Sequence, residues 1–110
     1  MVADPARLDA VFAALAHPHR RAILERLAGG EASVHELAAP LPVSQPAVSR
    51  HLSVLEGAGL VTRGQRGTYR PCTLDAHPLR EATEWLVGFR DFWASSYDAL
   101  DALLAETDAP

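Results

Sequence analysis

Apolar residues recur at three- and four-residue intervals along most of this chain, and the breaks between runs fall at Pro and Gly. Leu8, Val11, Phe12 and Leu15 form the first stripe, which predicts a helix that Pro18 closes. A second helix is expected over about residues 19–28, burying Ala22, Ile23 and Leu27 and stopping at Gly29-Gly30. Ser33-Val34-His35-Glu36 has the S-x-x-E form in which Ser and Glu side chains each accept a backbone N–H that the helix leaves free. A short third helix therefore starts at Ser33, with Val34, Leu37 and Ala38 inward. Pro40-Leu41-Pro42-Val43 cannot continue it and makes a rigid turn. Ser44 then caps a fourth helix, expected over about residues 44–57, and Pro46 is harmless in its first turn.

Beyond that helix the period changes. Leu60-Val61-Thr62-Arg63 and Thr68-Tyr69-Arg70-Pro71-Cys72-Thr73-Leu74 are β-prone runs around Gly64-Gln65-Arg66-Gly67, which predicts a hairpin over about residues 60–74. Pro78 suits the first turn of a last helix, expected over about residues 78–106. The pattern predicts one domain, residues 1–110, mainly α with a small β-hairpin. Two helices joined by a short turn and followed by a hairpin are the parts of a winged helix-turn-helix.

Charge sharpens this picture once it is divided along the chain. The net charge of −4 is wrong for a partner of nucleic acid. Residues 44–74, however, carry Arg50, Arg63, Arg66 and Arg70 against Glu56 alone, whereas residues 75–110 carry two Arg against eight acids. A local basic stripe is what attracts phosphates, so the hairpin region is the candidate surface and the acidic end should lie away from it. Cys72 is the only cysteine, no apolar run nears the roughly 18 residues that span a bilayer, and the first residues lack a secretory pattern. A cytoplasmic protein is expected.

In the fourth helix Val48, Leu52 and Leu55 fall at i, i+4 and i+7 and face inward, which leaves Gln45, Ser49 and Arg50 on the opposite side. Those side chains can hydrogen-bond adenine, guanine or phosphate. Arg63, Arg66 and Arg70 surround a Gly-flanked tip suited to backbone contact. An ordinary solvated helix face would look the same residue by residue; the combination with the capped helix, turn and hairpin favours DNA. In the last helix Trp85, Phe89, Phe92, Trp93 and Tyr97 put five of the seven aromatics within thirteen residues, and Leu100 continues the stripe. Such a face calls for a partner, and a two-fold interface with Leu8, Phe12 and Leu15 of the first helix as second layer is expected. The alternatives are that these aromatics close the monomer core or line a ligand pocket.

Phe12-Ala13-Ala14-Leu15-Ala16-His17-Pro18-His19-Arg20-Arg21-Ala22-Ile23-Leu24 resembles the opening of ArsR-type repressors. Val43-Ser44-Gln45-Pro46-Ala47-Val48-Ser49-Arg50-His51-Leu52 and Leu55-Glu56-Gly57-Ala58-Gly59-Leu60-Val61 resemble that family's recognition helix and its exit into the wing. The similarity covers roughly residues 6–106. It implies a homodimer that represses transcription, often of its own operon, usually under control of an inducer; the two-fold axis of such a dimer predicts operator DNA that is an imperfect inverted repeat. It also implies that Ser44, Gln45, Ala47, Ser49 and Arg50 face DNA, with His51 at the margin.

The resemblance breaks at the metal sites. Metal-sensing relatives carry a Cys motif on the third helix, where this chain has Val34-His35-Glu36-Leu37. Others use Asp-x-His on the last helix with a later His pair or His and acid. Asp75 and His77 match the first half, Gly88 stands where the second His would be, and Asp91 alone remains of the second half. One imidazole per chain makes a poor tetrahedral zinc site, so no metal or other cofactor is expected. His17, His19 and His35 are read as capping or surface residues. No catalytic Ser/His/Asp or Cys/His phrase and no phosphate-cradling Gly loop is present, so an enzyme is not expected. The rival readings are a winged-helix protein-interaction module without DNA binding, and a metal-responsive repressor with a degenerate site.

Overall fold

The computed structural model describes residues 4–94, 101, 104 and 105. Helix α1 (Pro5–Leu15) is capped by the Asp4 carboxylate, which accepts the Ala6 N–H at 3.2 Å. Helix α2 (Pro18–Ala28) starts under His17, whose ring Nδ1 accepts the His19 N–H at 3.1 Å. Helix α3 (Val34–Ala38) has both bonds of the expected reciprocal cap: Ser33 Oγ accepts from Glu36 N, and Glu36 Oε1 accepts from Ser33 N. Helix α4 (Gln45–Gly57) is capped by Ser44, with Pro46 in its first turn.

The exit from α4 depends on one glycine. Gly59 has φ of +77°, and the Gly59 and Leu60 amides bond back to the Glu56 and Leu55 carbonyls at 3.0 and 2.9 Å. This left-handed closure satisfies carbonyls that the helix end would strand. It delivers Leu60 and Val61 directly into the core, where both are buried.

Strands β1 (Val61–Arg63) and β2 (Cys72–Leu74) pair antiparallel, Val61 opposite Leu74 and Arg63 opposite Cys72. The turn lies further along than the sequence predicts. Arg66 and Tyr69 exchange backbone bonds around Gly67, whose φ is +63°. Gly67 and Thr68 therefore make the turn itself, and Pro71, with no N–H to give to a ladder, accepts the Gly64 N–H at 2.9 Å between that turn and β2. Ala32, ahead of α3, bonds both ways to the Cys72 backbone and adds a third member that periodicity did not predict.

Ile23, Leu24, Leu27, Leu37, Val48, Leu52 and Leu55 join Val11, Leu60 and Val61 in one core beneath α4. Helix α5 (His77–Val87) lies along α1, tied by Arg7–Glu81 at 3.3 Å and an edge contact of Phe12 with Trp85. The sequence predicts one unbroken helix over residues 78–106, and the structure corrects this. Near Gly88 the bonding tightens to three-residue steps, Phe89 N to Leu86 O and Phe92 N to Phe89 O, and Arg90–Phe92 is a 3₁₀ turn. Glycine is the weakest helix former here short of proline, and the β-branched and aromatic residues beside it add little support. Ala94, Asp101, Leu104 and Ala105 are helical again. Tyr97 and Leu100 of the expected interface lie outside the described residues.

Candidate nucleic-acid interface

Helix α4 stands on α2 and α3 with its apolar side down, so its N-terminal half presents Ser44, Gln45 and Arg50 as exposed residues and Ala47, Ser49 and His51 as half-buried ones. Gln45 is already engaged: its Nε2 donates to His35 Nδ1 at 2.7 Å, fixing the start of α4 to α3. Arg50 is exposed, and among the described residues it has no ion-pair partner.

The wing is built against this face by charged contacts. Arg63 donates to the Ser49 carbonyl at 3.2 Å and lies 3.5 Å from Glu56, so it braces β1 against α4. Arg66 pairs with Glu31 and stacks over Tyr69, with 5.5 Å to the ring centroid. The Tyr69 hydroxyl donates to Glu36 Oε1 at 3.0 Å. The Ser33 bonds, and then that of Tyr69, hold the Glu36 carboxyl below its ordinary value, while the same bond pushes the Tyr69 phenol up. Arg70 is exposed beside a cleft lined by Val34, Arg63, Gly64, Gln65 and Cys72. Burial pushes the Cys72 thiol up and leaves it a weak nucleophile.

The sequence singled out the four arginines but missed the acids that hold two of them. It also missed Tyr69 as the link from the wing to α3. Nothing in periodicity points to Glu31 or Glu36 as wing partners, since each is more than 30 residues from its contact.

Asp75, His77 and Asp91 are not brought together. Asp75 accepts the His77 backbone N–H at 3.0 Å, and the His77 ring lies 3.9 Å from Glu81. His17, His19 and His51 do converge, the ring centroids of His17 and His51 lying 4.4 Å apart. Burial first, and the charges around them second, hold the His17 and His51 imidazoles below their ordinary value. Among the expected interface residues Trp85, Phe89 and Phe92 are exposed, and Leu8, Phe12, Leu15 and Trp93 are half-covered or partly packed on the core.

A short helix, tight turn, exposed-faced helix and arginine-bearing hairpin in this order define a winged helix-turn-helix DNA-binding protein. A helix-turn-helix domain family model matches residues 15–64. The HTH-type transcriptional regulator Rv2034 of Mycobacterium tuberculosis is 55% identical over 67 residues, 61% of this chain and 63% of that protein. The transcriptional repressor SdpR of Bacillus subtilis is 29% identical over 82 residues, 74% of this chain and 91% of its own. Among solved structures, the ArsR family transcriptional regulator RHA00566 superposes with a TM-score of 0.76 at 36% identity, covering 86% of this chain and 98% of that one. The homodimeric winged helix-turn-helix domain of Mb0332 from Mycobacterium bovis gives 0.63 at 25% identity, covering 81% and 84%. The chain belongs to the ArsR family of winged helix-turn-helix transcriptional regulators. The family is one of DNA-binding regulators and not of enzymes. The matched stretch spans just under two thirds of Rv2034.

Proposed function

We propose that this protein binds double-stranded operator DNA as a homodimer and represses transcription, its own operon included. The carrying observation is the exposed N-terminal face of α4, with Gln45 and Arg50 outward beside a wing that bears Arg63, Arg66 and Arg70. In this reading Gln45 and Arg50 contact base edges, Ser44, Ala47 and Ser49 line the groove, His51 stands at its margin, and the wing arginines meet phosphate. Two such helices related by a two-fold axis select an imperfect inverted repeat. The named activities of SdpR and of Mb0332 support repression and dimerisation respectively. The proposal carries with it a cytoplasmic site of action, where operator DNA is reached. Residues 44–74 carry four arginines against one acid, and Arg50 faces outward with no ion-pair partner among the described residues, which suits DNA better than a protein-interaction module.

A mobility-shift titration with the DNA upstream of its own gene, at several salt concentrations, tests the proposal. Saturable binding that weakens steeply with salt and is lost on scrambling the repeat is expected. Equal affinity for scrambled and native DNA overturns operator recognition.

A further inference from the structure

His17 closes the α1–α2 connection, His19 lies in the first turn of α2, and His51 sits on the recognition helix facing both. One ring nitrogen from each lies within 4.8 Å of the other two, and all three residues are half-buried. We propose that these three imidazoles bind a divalent transition-metal ion of the borderline class, such as Zn²⁺ or Co²⁺, with solvent completing the shell. The site shares nothing with Asp75, His77 and Asp91, and it does not depend on the proposed DNA activity.

Neutral imidazole is the nitrogen ligand that ions of this class favour. Metal–nitrogen bonds of about 2.0–2.1 Å in a tetrahedral shell place the nitrogens about 3.3 Å apart. The gap to close is then on the order of 1 Å, which ring rotation of half-buried side chains can supply. The three residues come from two elements that the core already fixes: Ile23 and Leu24 anchor α2, and Val48, Leu52 and Leu55 anchor α4.

The ring protons show what binding must displace. His17 Nδ1 accepts the His19 amide proton, so the neutral ring carries its own proton on Nε2. His51 Nδ1 faces Arg20 Nη1 at 3.4 Å, and a guanidinium only donates, so the same tautomer follows there. An ion takes a lone pair on each ring, either at Nδ1 in place of the present bond or at Nε2 after the proton moves across. Metal therefore competes with the α2 cap and with the Arg20–His51 contact. Arg20 can release His51 readily, because its Nε and Nη2 remain bound to the Ala14 and Ala13 carbonyls at 2.7 and 3.0 Å. Arg21 beside His17 and Arg50 beside His51 add positive charge at the site, and the C-terminal carbonyls of α1, those of Ala13, Ala14 and Leu15 that Arg20 and Arg21 hold, offset part of it. A bound ion clamps the recognition helix to the start of α2.

Titrating Co²⁺ into the full-length protein, followed by the visible d–d absorption of the tetrahedral ion and by displacement with Zn²⁺, tests this site. One ion per chain is expected in wild type and in His77→Ala. Zinc binding should weaken by more than about tenfold, beyond the lower end of what disturbing an outer partner costs, in His19→Gln, His51→Gln and His17→Asn. Asn can still cap α2, so the last variant removes the ligand while the helix start is kept, and circular dichroism checks that each variant is folded. Absence of the d–d band in wild type overturns the proposal. So does full retention of binding in the three folded variants, or loss of binding in His77→Ala.

Discussion

Arg63 and Arg66 carry the same charge as Arg50, but they are not equally available to a phosphate. Arg66 is held by Glu31 in an ion pair that is exposed on both sides, and such pairs contribute about 0–1 kcal/mol, so a DNA phosphate can replace the carboxylate. Arg63 is bound to the α4 backbone as well as to Glu56 and is placed more for bracing than for reach. Arg66→Ala should therefore weaken all sequences alike and lower the salt slope by about one unit. Arg50→Ala should instead relax preference at one base pair, costing about 1–3 kcal/mol there. Binding-site selection on both variants separates the roles; full preference retained by Arg50→Ala and lost by Arg66→Ala reverses them. Glu36 gives a pH effect at the same scale. Its folded-state pKa lies below the ordinary 4.5, so its contribution to stability is complete above that pH and is lost as pH falls through the lowered value. Urea unfolding followed from about pH 6 down through the acid limb should show a shallower acid decline in Glu36→Gln than in wild type. Parallel curves for the two proteins would remove Glu36 from the account.

At the scale of elements, what was legible in the sequence was whatever local chemistry decides. Ser33 with Glu36, Ser44 with Pro46, and the Gly57–Gly59 exit all mark helix ends by caps, and the helices begin and stop where those residues stand. The exposure of Gln45 and Arg50 could be read for the same reason, since the period that buries Val48, Leu52 and Leu55 turns both outward. Contacts between distant elements were not legible. Ala32 joins Cys72 across 40 residues, Tyr69 reaches Glu36, and His51 meets His17 only because α4 folds back over α2. The aromatic stripe continues through Gly88 and so predicts a longer last helix than forms, while the backbone answers to the glycine. Gly59 offers a sharp check on the local reading. A Cβ there would meet Pro78 Cγ at 3.6 Å, an ordinary contact, so the cost of Gly59→Ala is confined to holding φ at +77°. That costs about 1–2 kcal/mol, to be seen as a lower urea midpoint with unchanged slope. An unchanged midpoint would mean that the turn relaxes freely.

For the whole molecule the question is what covers α5. The radius of gyration is 17.1 Å, against about 13 Å for a compact chain of this length, so the fold extends beyond what its own core requires. Trp85, Leu86, Val87 and Phe89 are each 44–50% exposed and Phe92 is 90% exposed, on one short stretch beside α1. Lone exposed apolar residues are common, but a contiguous aromatic group is a surface in want of a partner. In the proposed homodimer a second copy would supply it by two-fold symmetry, with α1 and α5 of each chain against those of the other and both α4 helices outward. Phe92→Glu isolates this interface, because a side chain so exposed in the single chain contributes little to its own fold. In the dimer the same change buries an unpaired carboxylate, at a cost of several kcal/mol. Sedimentation velocity at micromolar concentration should show wild type as a dimer and Phe92→Glu as a folded monomer, with Phe89→Glu behaving alike. The monomeric variant should also lose its preference for the inverted repeat, since one recognition helix reads only one half. A wild type that sediments as a monomer, or a Phe92→Glu variant that still dimerises, removes α5 from the interface and leaves its aromatic face to some other partner.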